Sequence, residues 1–330
     1  MTYYLLKRML WLIAAFMLLA PAMGNSADLP LSAGYFFEAA VAGKPSIHEV
    51  GERIRIAKGV DPDRIAEFSG IHEAVSYPGD SDPDADDFKE EAYGELRSEI
   101  RMTYAEVSSA RSQIEEGRRG MELLRQMVEL STAQYATGKL DQAGLLKGQL
   151  EWERLSETLL LLEKRERIFS IRLNVLTGRG VEEPVPRLEA LQEYSPGFDP
   201  KELIESYKSR RFLALFQQLV RPDSPATPGE ELHGTDSLEV EATALISVVR
   251  ISLESLYQRA RRYRTSLILM GEVAHGSRLE QYKHGKLDFI SLVEGLVALS
   301  ELRREYQALL GEAHVLKAKV EYVTGSDISK

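Results

Sequence analysis

Residues 134–141 read QYATGKLD, and residues 281–288 read QYKHGKLD, 147 positions later (281 − 134). The match continues without a gap from Leu145 and Leu292 to Gly178 and Gly325. A repeat of this length indicates one supersecondary unit that is used twice. Because 147 is a multiple of seven (21 × 7), both copies keep the same heptad register. This predicts a coiled-coil protein with two similar halves.

A heptad pattern precedes and follows the first copy of the stretch. In the arm before it, apolar residues recur every seven positions, and mostly smaller residues recur four positions ahead of each of them. These two series are Ile100, Val107, Ile114, Met121, Val128, Tyr135 and Leu96, Thr103, Ala110, Gly117, Leu124, Ser131. The return arm has two similar series, which are Leu145, Trp152, Leu159, Leu173 and Gly148, Leu155, Leu162, Phe169, Leu176. Both patterns predict long helices with close backbone packing.

The second half follows the same plan. Its descending arm has the series Ile246, Leu253, Ala260, Leu267, Ala274 and Val249, Leu256, Tyr263, Met270, with a register slip expected near His275–Arg278. Gly138 and Gly285 are expected to end the descending arms as left-handed caps, and Asp141 is expected to cap the first return arm. With only about three residues between them, the descending arm and the return arm must fold back on each other as an antiparallel hairpin.

The predicted fold is therefore all-α, with two tandem repeats of a short helix, a break and a long coiled-coil hairpin, and no convincing strand. The first repeat covers 28–180, with a short helical segment at 33–59, a hairpin at 88–178 and a tip at Gly138. The second covers 181–330, with a short helix at 200–220, a hairpin at 237–325 and a tip at Gly285.

Residues 1–27 are predicted to be a signal peptide. Two basic residues, Lys7 and Arg8, precede an apolar core at 9–19, and small residues follow at 20–27. The core is shorter than the about 20 residues of a stable membrane helix, although an uncleaved anchor is the alternative. The sequence therefore predicts an exported protein.

Composition argues against several functions. The net charge of −10 and the mixing of Lys and Arg with Glu disfavour a nucleic-acid partner. Without cysteine there is no disulfide and no thiolate metal site. Glu272 and His275 form a Glu-x-x-His motif, for which a surface histidine is favoured over a metal ligand. Trp152 is interpreted as a core residue. No nucleophile or phosphate-loop motif occurs, so we predict no enzyme, no cofactor and no metal.

The tips resemble those of the TolC-type outer-membrane efflux family. That family has an aromatic-x-x-Gly tip and a closing Leu-(Thr/Leu)-Gly. Here these are Tyr135–Lys139 with Leu-Thr-Gly at 176–178, and Tyr282–Lys286 with Val-Thr-Gly at 323–325. The resemblance covers about 95–180 and 240–327, and it extends weakly to 45–58. It implies a non-catalytic component of a tripartite efflux system, a homotrimer whose hairpins form a periplasmic tube. Its location would be the periplasm or outer membrane of a Gram-negative bacterium.

The resemblance also implies roles for residues at the tips. Contacts with a periplasmic adaptor and an inner-membrane pump are expected at Tyr135, Gly138, Lys139, Tyr282, Gly285 and Lys286, although the two lysines suit a solvated tip equally well. The family's entrance is lined by acidic side chains just after the second tip. Here Glu294 occupies one such position and Ser291 the other. The first half has Gly144 and Lys147 there, so an acidic ring is only partly supported.

One departure concerns the membrane. The family inserts β-strands for an outer-membrane barrel between the short helix and the hairpin of each half. Residues 221–236 are few and include three prolines, and the later part of 60–87 is rich in aspartate. We therefore expect the tube without the barrel hairpins. Two alternatives remain: a structural or scaffolding coiled-coil protein of the envelope without transport activity, and a periplasmic adaptor, which would require β-rich segments around one hairpin.

Overall fold

The computed structural model describes residues 30–60, 85–138, 140–194 and 235–324. Within these ranges it contains seven α-helices and one π-helical turn. They are α1 (Ala33–Val41), α2 (Ile47–Gly59), α3 (Ala85–Ala136), α4 (Gln142–Thr177), α5 (Thr235–Arg262), the π turn (Tyr263–Leu267), α6 (Ile268–Lys283) and α7 (Phe289–Thr324). The described residues contain no strand, only an isolated parallel bridge between Leu31 and Leu188. The all-α prediction is confirmed.

Several predicted features lie outside the described residues. They are the signal peptide, the helix expected at 200–220, Lys139, and most of the two breaks at 60–87 and 221–236. Among the residues that are described, no helix combines the length and the apolar character needed to cross a membrane.

The helical segment expected at 33–59 is two helices. Ser32 caps α1 by accepting a hydrogen bond from the backbone N–H of Tyr35 (3.4 Å), and Ser46 caps α2 in the same way for Glu49 (3.2 Å). Pro45 has no N–H to donate, and Lys44 before it has a φ of +49°. A helix cannot pass through these two residues, so the chain stops and restarts there.

The first hairpin consists of α3 and α4. The 52 residues of α3 span about 78 Å at ~1.5 Å per residue. Gly138 has the left-handed φ of +69° that was expected of it, and Asp141 accepts a hydrogen bond of 2.8 Å from the N–H of Gly144. Gly178, also at φ +69°, ends α4. These local signals are confirmed.

The second hairpin consists of α5, the π turn, α6 and α7, with Gly285 at φ +66° in its tip. The register slip expected near His275–Arg278 is not found there, because α6 runs unbroken through those residues. It lies earlier, at the π turn Tyr263–Leu267. A π turn is the usual way in which an α-helix accommodates one inserted residue.

The two copies differ by this inserted residue. Upstream of the π turn, buried Ile246 and Leu253 correspond to buried Ile100 and Val107 at a spacing of 146 (246 − 100), whereas the tips correspond at 147. The row of buried heptad residues along the helix, called the seam below, therefore moves by one residue beyond the π turn. Met270 is 56% exposed and does not continue it. The sequence predicts that Leu267 and Ala274 lie on the same seam. In the structure Leu267 is only half-buried and Ala274 is exposed.

The long helices pack in the order α4, α3, α7 and then α5 and α6. Helix α3 contacts α4 and α7, while α7 contacts α5 and α6 and also, less extensively, α4. Small residues allow α3 and α7 to approach closely. Ser109 donates a hydrogen bond to the carbonyl of Gln307 (2.8 Å), and a Cβ on Gly311 would lie 2.5 Å from Ser109. The four long arms therefore form one wall, with α4 and α5–α6 at its two edges.

The base of the wall is held by ion pairs and by the loop 181–194. Lys58 of α2 pairs with Glu95 of α3 (2.5 Å), and Arg172 of α4 pairs with Glu99 (2.7 Å). The loop reaches the second hairpin, where the ring of His314 lies 2.8 Å from the carbonyl of Gln192. The loop therefore ties the two hairpins together at the end of the molecule that is opposite the tips.

Candidate docking and entrance site at the hairpin tips

The two turns around Gly138 and Gly285 are nearly identical in backbone. In each, the glycine N–H donates to the carbonyl of the tyrosine three residues earlier at 2.9 Å. A Cβ placed on either glycine would meet nothing within 4 Å. Lys286 is exposed, and Lys139 lies outside the described residues. Both turns therefore present open surface to any partner that reaches them.

The two tip tyrosines have different surroundings. Tyr282 donates a hydrogen bond to the side-chain carbonyl of Gln134, and its ring lies 5.9 Å from that of Phe289. Phe289 is buried in a cluster with Leu124, Val293 and Leu296 that joins the two hairpins. Tyr135, the counterpart of Tyr282, is 45% exposed. The second tip is thus fastened to the first hairpin, whereas the first tip carries its tyrosine on the surface.

Ser291, one of the two predicted entrance residues, has a structural role. Its backbone N–H donates to the carboxylate of Asp288 at 2.7 Å, and its carbonyl accepts from Arg278 at 3.3 Å. The first of these hydrogen bonds lowers the pKa of Asp288 below its ordinary value. Asp288 thereby caps the start of α7, as Asp141 caps α4.

Glu294, the other predicted entrance residue, is compensated by a lysine. Its side chain is 56% exposed, and its Oε1 lies 3.6 Å from Nζ of Lys147 on α4. The same ammonium lies 3.0 Å from Glu151, which also pairs with Arg154 at 3.0 Å. The hydrogen bond that Lys147 donates to Glu151, with the charges of Glu151 and Glu294, raises the pKa of Lys147. The carboxylate that was expected to begin an acidic ring is therefore half of an ion pair.

The Glu-x-x-His motif of Glu272 and His275 does not bring its two side chains to one metal position. Glu272 pairs with Arg303 at 2.6 Å, while burial and the neighbouring Arg278 lower the pKa of His275. Among the described residues no group of three His, Cys, Asp or Glu side chains could hold a metal ion. Trp152 is half-buried and packs against the Phe289 cluster.

Both turns lie where the sequence predicts them, but the contacts between them were not predicted. Gln134 and Phe289 are tip residues that the sequence analysis does not name, and the pairing of Lys147 with Glu294 is also new. The repeat contained a usable signal for that pair, because Lys147 and Glu294 occupy the same position of the two copies (294 − 147 = 147). Opposite charges at equivalent positions of adjacent hairpins are expected to attract each other.

No model of a known protein family matches this sequence, and no curated protein matches it significantly. Solved structures do match its fold. VceC, an outer membrane protein of Vibrio cholerae, is 13% identical, with a TM-score of 0.57 over 90% of this chain and 96% of that chain. CusC, whose structures concern conformational changes that accompany folding and transmembrane channel formation, is 10% identical. Its TM-score is also 0.57, over 90% of this chain and 96% of that chain.

A third match is the outer membrane channel CmeC of Campylobacter jejuni, with 10% identity and a TM-score of 0.53 over 74% of this chain and 65% of that chain. At these identities the likeness concerns the fold, and it extends over most of the chain. The paired hairpins, their glycine tips and the helical wall thus have the architecture of the TolC-type outer-membrane efflux channels.

Proposed function

We propose that this chain is a non-catalytic component of a tripartite efflux system. Three copies close into an α-helical conduit in the periplasm, and the tips face a periplasmic adaptor and an inner-membrane pump. The observation that carries the proposal is that both edges of the helical wall expose apolar side chains. The likeness to outer-membrane channels supports it.

Most of the exposed large apolar side chains of the described long helices lie on the outermost ones, although Leu123 and Leu130 on α3 are exposed as well. On α4 they are Leu146, Leu150, Leu160 and Leu161, and on α5 and α6 they are Val248, Ile251, Leu269, Met270 and Val273. The extremes are Leu160 at 65% and Val273 at 74% exposed. Exposed apolar surface of this extent indicates an interface. Because the two edges are different surfaces, contact between them is heterologous, and heterologous contacts form a ring when the rotation between copies closes.

The first experiment is light scattering on the mature protein in solution. We expect the mass of a trimer, because the edges of a single copy leave their apolar side chains in water. A monomer at micromolar concentration would contradict the conduit.

The second experiment tests pump engagement against the scaffold alternative. A photo-reactive amino acid at Lys286 in cells should cross-link to a periplasmic adaptor, whereas one at exposed Lys319, near the far end of α7, should not. Gly285→Val, which distorts the second tip, should reduce both the cross-link and resistance to exported compounds. Unchanged resistance and an unchanged cross-linking pattern in Gly285→Val and Gly138→Val would favour a scaffold without transport activity.

A further inference from the structure

The contact between the two tips joins equivalent positions of the repeat. Lys147 and Glu294 are the same position in the two copies, and their charged atoms lie 3.6 Å apart. The contact joins α4 of the first hairpin to α7 of the second, and α7 also packs against α3 of the first hairpin. In the repeat, α6 is the counterpart of α3 near the tip, and α4 is the counterpart of α7. The pairing of α6 with the α4 of a neighbouring copy would therefore reproduce the interface already present within the chain.

Exposure of the equivalent residues supports this correspondence. Val293 of α7 is 0% exposed, while its counterpart Leu146 on α4 is 53% exposed. Tyr282 is hydrogen-bonded to Gln134, while its counterpart Tyr135 is 45% exposed. Gln281, the counterpart of Gln134, is exposed as well. Residues that are packed at the interface within the chain thus have counterparts that lack the same packing at the edges.

We infer that the pump-facing mouth of the assembled protein is a ring of six charges in which Lys147 and Glu294 alternate. Each Glu294 lies between Lys147 of its own chain and Lys147 of the neighbouring copy. Per copy, Lys147 and Arg154 balance Glu151 and Glu294, so this network of four side chains has no net charge. The inference rests on the proposed trimer and makes Lys147 the residue that keeps the mouth from concentrating cations.

The charge of the mouth is tested with lanthanum(III), a trivalent cation that binds clustered carboxylates. Lys147→Glu turns the ring into six carboxylates, so calorimetric titration should show lanthanum binding at least about tenfold tighter than in the unmodified protein. Lys319→Glu makes the same charge change on exposed α7 surface away from the mouth, and it should leave binding unchanged. Equal affinities for both variants would overturn the inference.

The alternation is tested by disulfide cross-linking, because the natural chain contains no cysteine. Copies with Lys147→Cys are assembled with copies carrying Glu294→Cys and then oxidised. We expect covalent dimers from this mixture and none from Lys147→Cys copies alone. Arg125→Cys with Glu272→Cys is the matched control, since these residues are also equivalent (272 − 125 = 147) but pair within their own hairpins.

Light scattering on the same samples separates the two claims. A trimer that forms no link between 147 and 294 overturns the alternating ring and leaves the conduit standing. Absence of a trimer overturns the conduit and, with it, the ring.

Discussion

Three glycines with the same backbone conformation differ in what surrounds them. Gly138, Gly178 and Gly285 all have φ between +66° and +69°. The two tip glycines have open space where a Cβ would be, but a Cβ on Gly178 would lie 2.8 Å from the guanidinium of Arg53. Substitution at the tips therefore changes only the backbone energy, whereas substitution at Gly178 also displaces a packed side chain.

We expect Gly138→Val or Gly285→Val to reduce the free energy of unfolding by about 1–2 kcal/mol, the energy of a left-handed β-branched residue. Gly178→Val should reduce it further. Gly276→Ala is the control: Gly276 lies inside α6 with open space around it, and alanine there should stabilise the helix by about 0.5–1 kcal/mol. Urea unfolding followed by circular dichroism measures all four. An unchanged free energy of unfolding in Gly285→Val would contradict the expected cost of a left-handed valine at the tip.

We expect His314 to make the packing of the loop 181–194 sensitive to pH. Its ring lies about 6 Å from those of Tyr194 and Tyr257, which are its aromatic neighbours. Burial, together with the charge of Lys317, lowers its pKa, although the hydrogen bond to the carbonyl of Gln192 acts in the opposite direction. The unfolded chain therefore takes up this proton at a higher pH than the folded chain does. The stability that His314 contributes is present above the unfolded pKa of about 6.5 and is lost as the pH falls below it.

Replacing His314 with Gln retains a donor for the Gln192 carbonyl and removes the titration. We expect the fall in the free energy of unfolding between pH 7.5 and pH 5 to be smaller in His314→Gln than in the unmodified protein. Urea unfolding at the two pH values measures it. Identical acid responses would show that His314 does not couple the loop to pH.

At the scale of the helices, the π turn explains how one extra residue is accommodated in the second hairpin. Deleting Thr265 should convert the π turn to α-helix and leave Ile246, Leu253, Ala260 and Ile268 in strict heptads, as in the first copy. We expect helicity and the thermal midpoint to change little.

The matched control is deletion of Arg119, the counterpart of Thr265 (265 − 146) in uninterrupted α3. That deletion rotates the buried Leu124 and Ser131 by about 100° off the seam, since each α-helical residue turns by that angle. It should lower the thermal midpoint much more than the Thr265 deletion does. Equal effects in circular dichroism melts would show that the π turn does not reflect an insertion.

The sequence was sufficient for the hairpins because their signals are local. A glycine that ends one helix and an aspartate that caps the next are local signals for a turn between the two helices. The predicted site of the insertion was wrong because Leu267, Met270 and Ala274 are apolar and therefore continue the heptad pattern in the sequence. In the structure Met270 and Ala274 are exposed. The break within 33–59 did have a signal in Pro45.

The difference between the tips could not be predicted from the repeat. Both copies contain the same tyrosine and the same glutamine, and only the packing of α3 against α7 gives Tyr282 a partner while it leaves Tyr135 exposed. The opposite charges of Lys147 and Glu294 signal an attraction, but which residues of the two copies meet is set by the contacts of α7 with α3 and α4. Contacts between the two halves arise from tertiary packing. Because both copies of the repeat contain the same residues, the sequence does not show which copy makes a given contact.

At the scale of the whole molecule, the edges of the wall should control assembly. Each buried leucine side chain contributes about 1.5–3 kcal/mol, and a charge in its place would be buried without a partner. Leu160→Glu on edge helix α4 should therefore convert the trimer to monomers in light scattering, with helicity unchanged. Leu123→Glu is the control, because Leu123 is similarly apolar and exposed but lies on α3, inside the wall. Dissociation by both variants, or by neither, would contradict assembly through the edges.

The π turn also has a consequence for the height of the two hairpins. An extra α-helical residue would lengthen one descending arm by about 1.5 Å and offset its end from the other. The wider π turn takes up the residue with little added length, and both cross-hairpin contacts, Tyr282 with Gln134 and Glu294 with Lys147, are made between equivalent levels. Two ends of equal height per copy give an assembly a flat rim, on which a ring-shaped partner can rest at every hairpin at once.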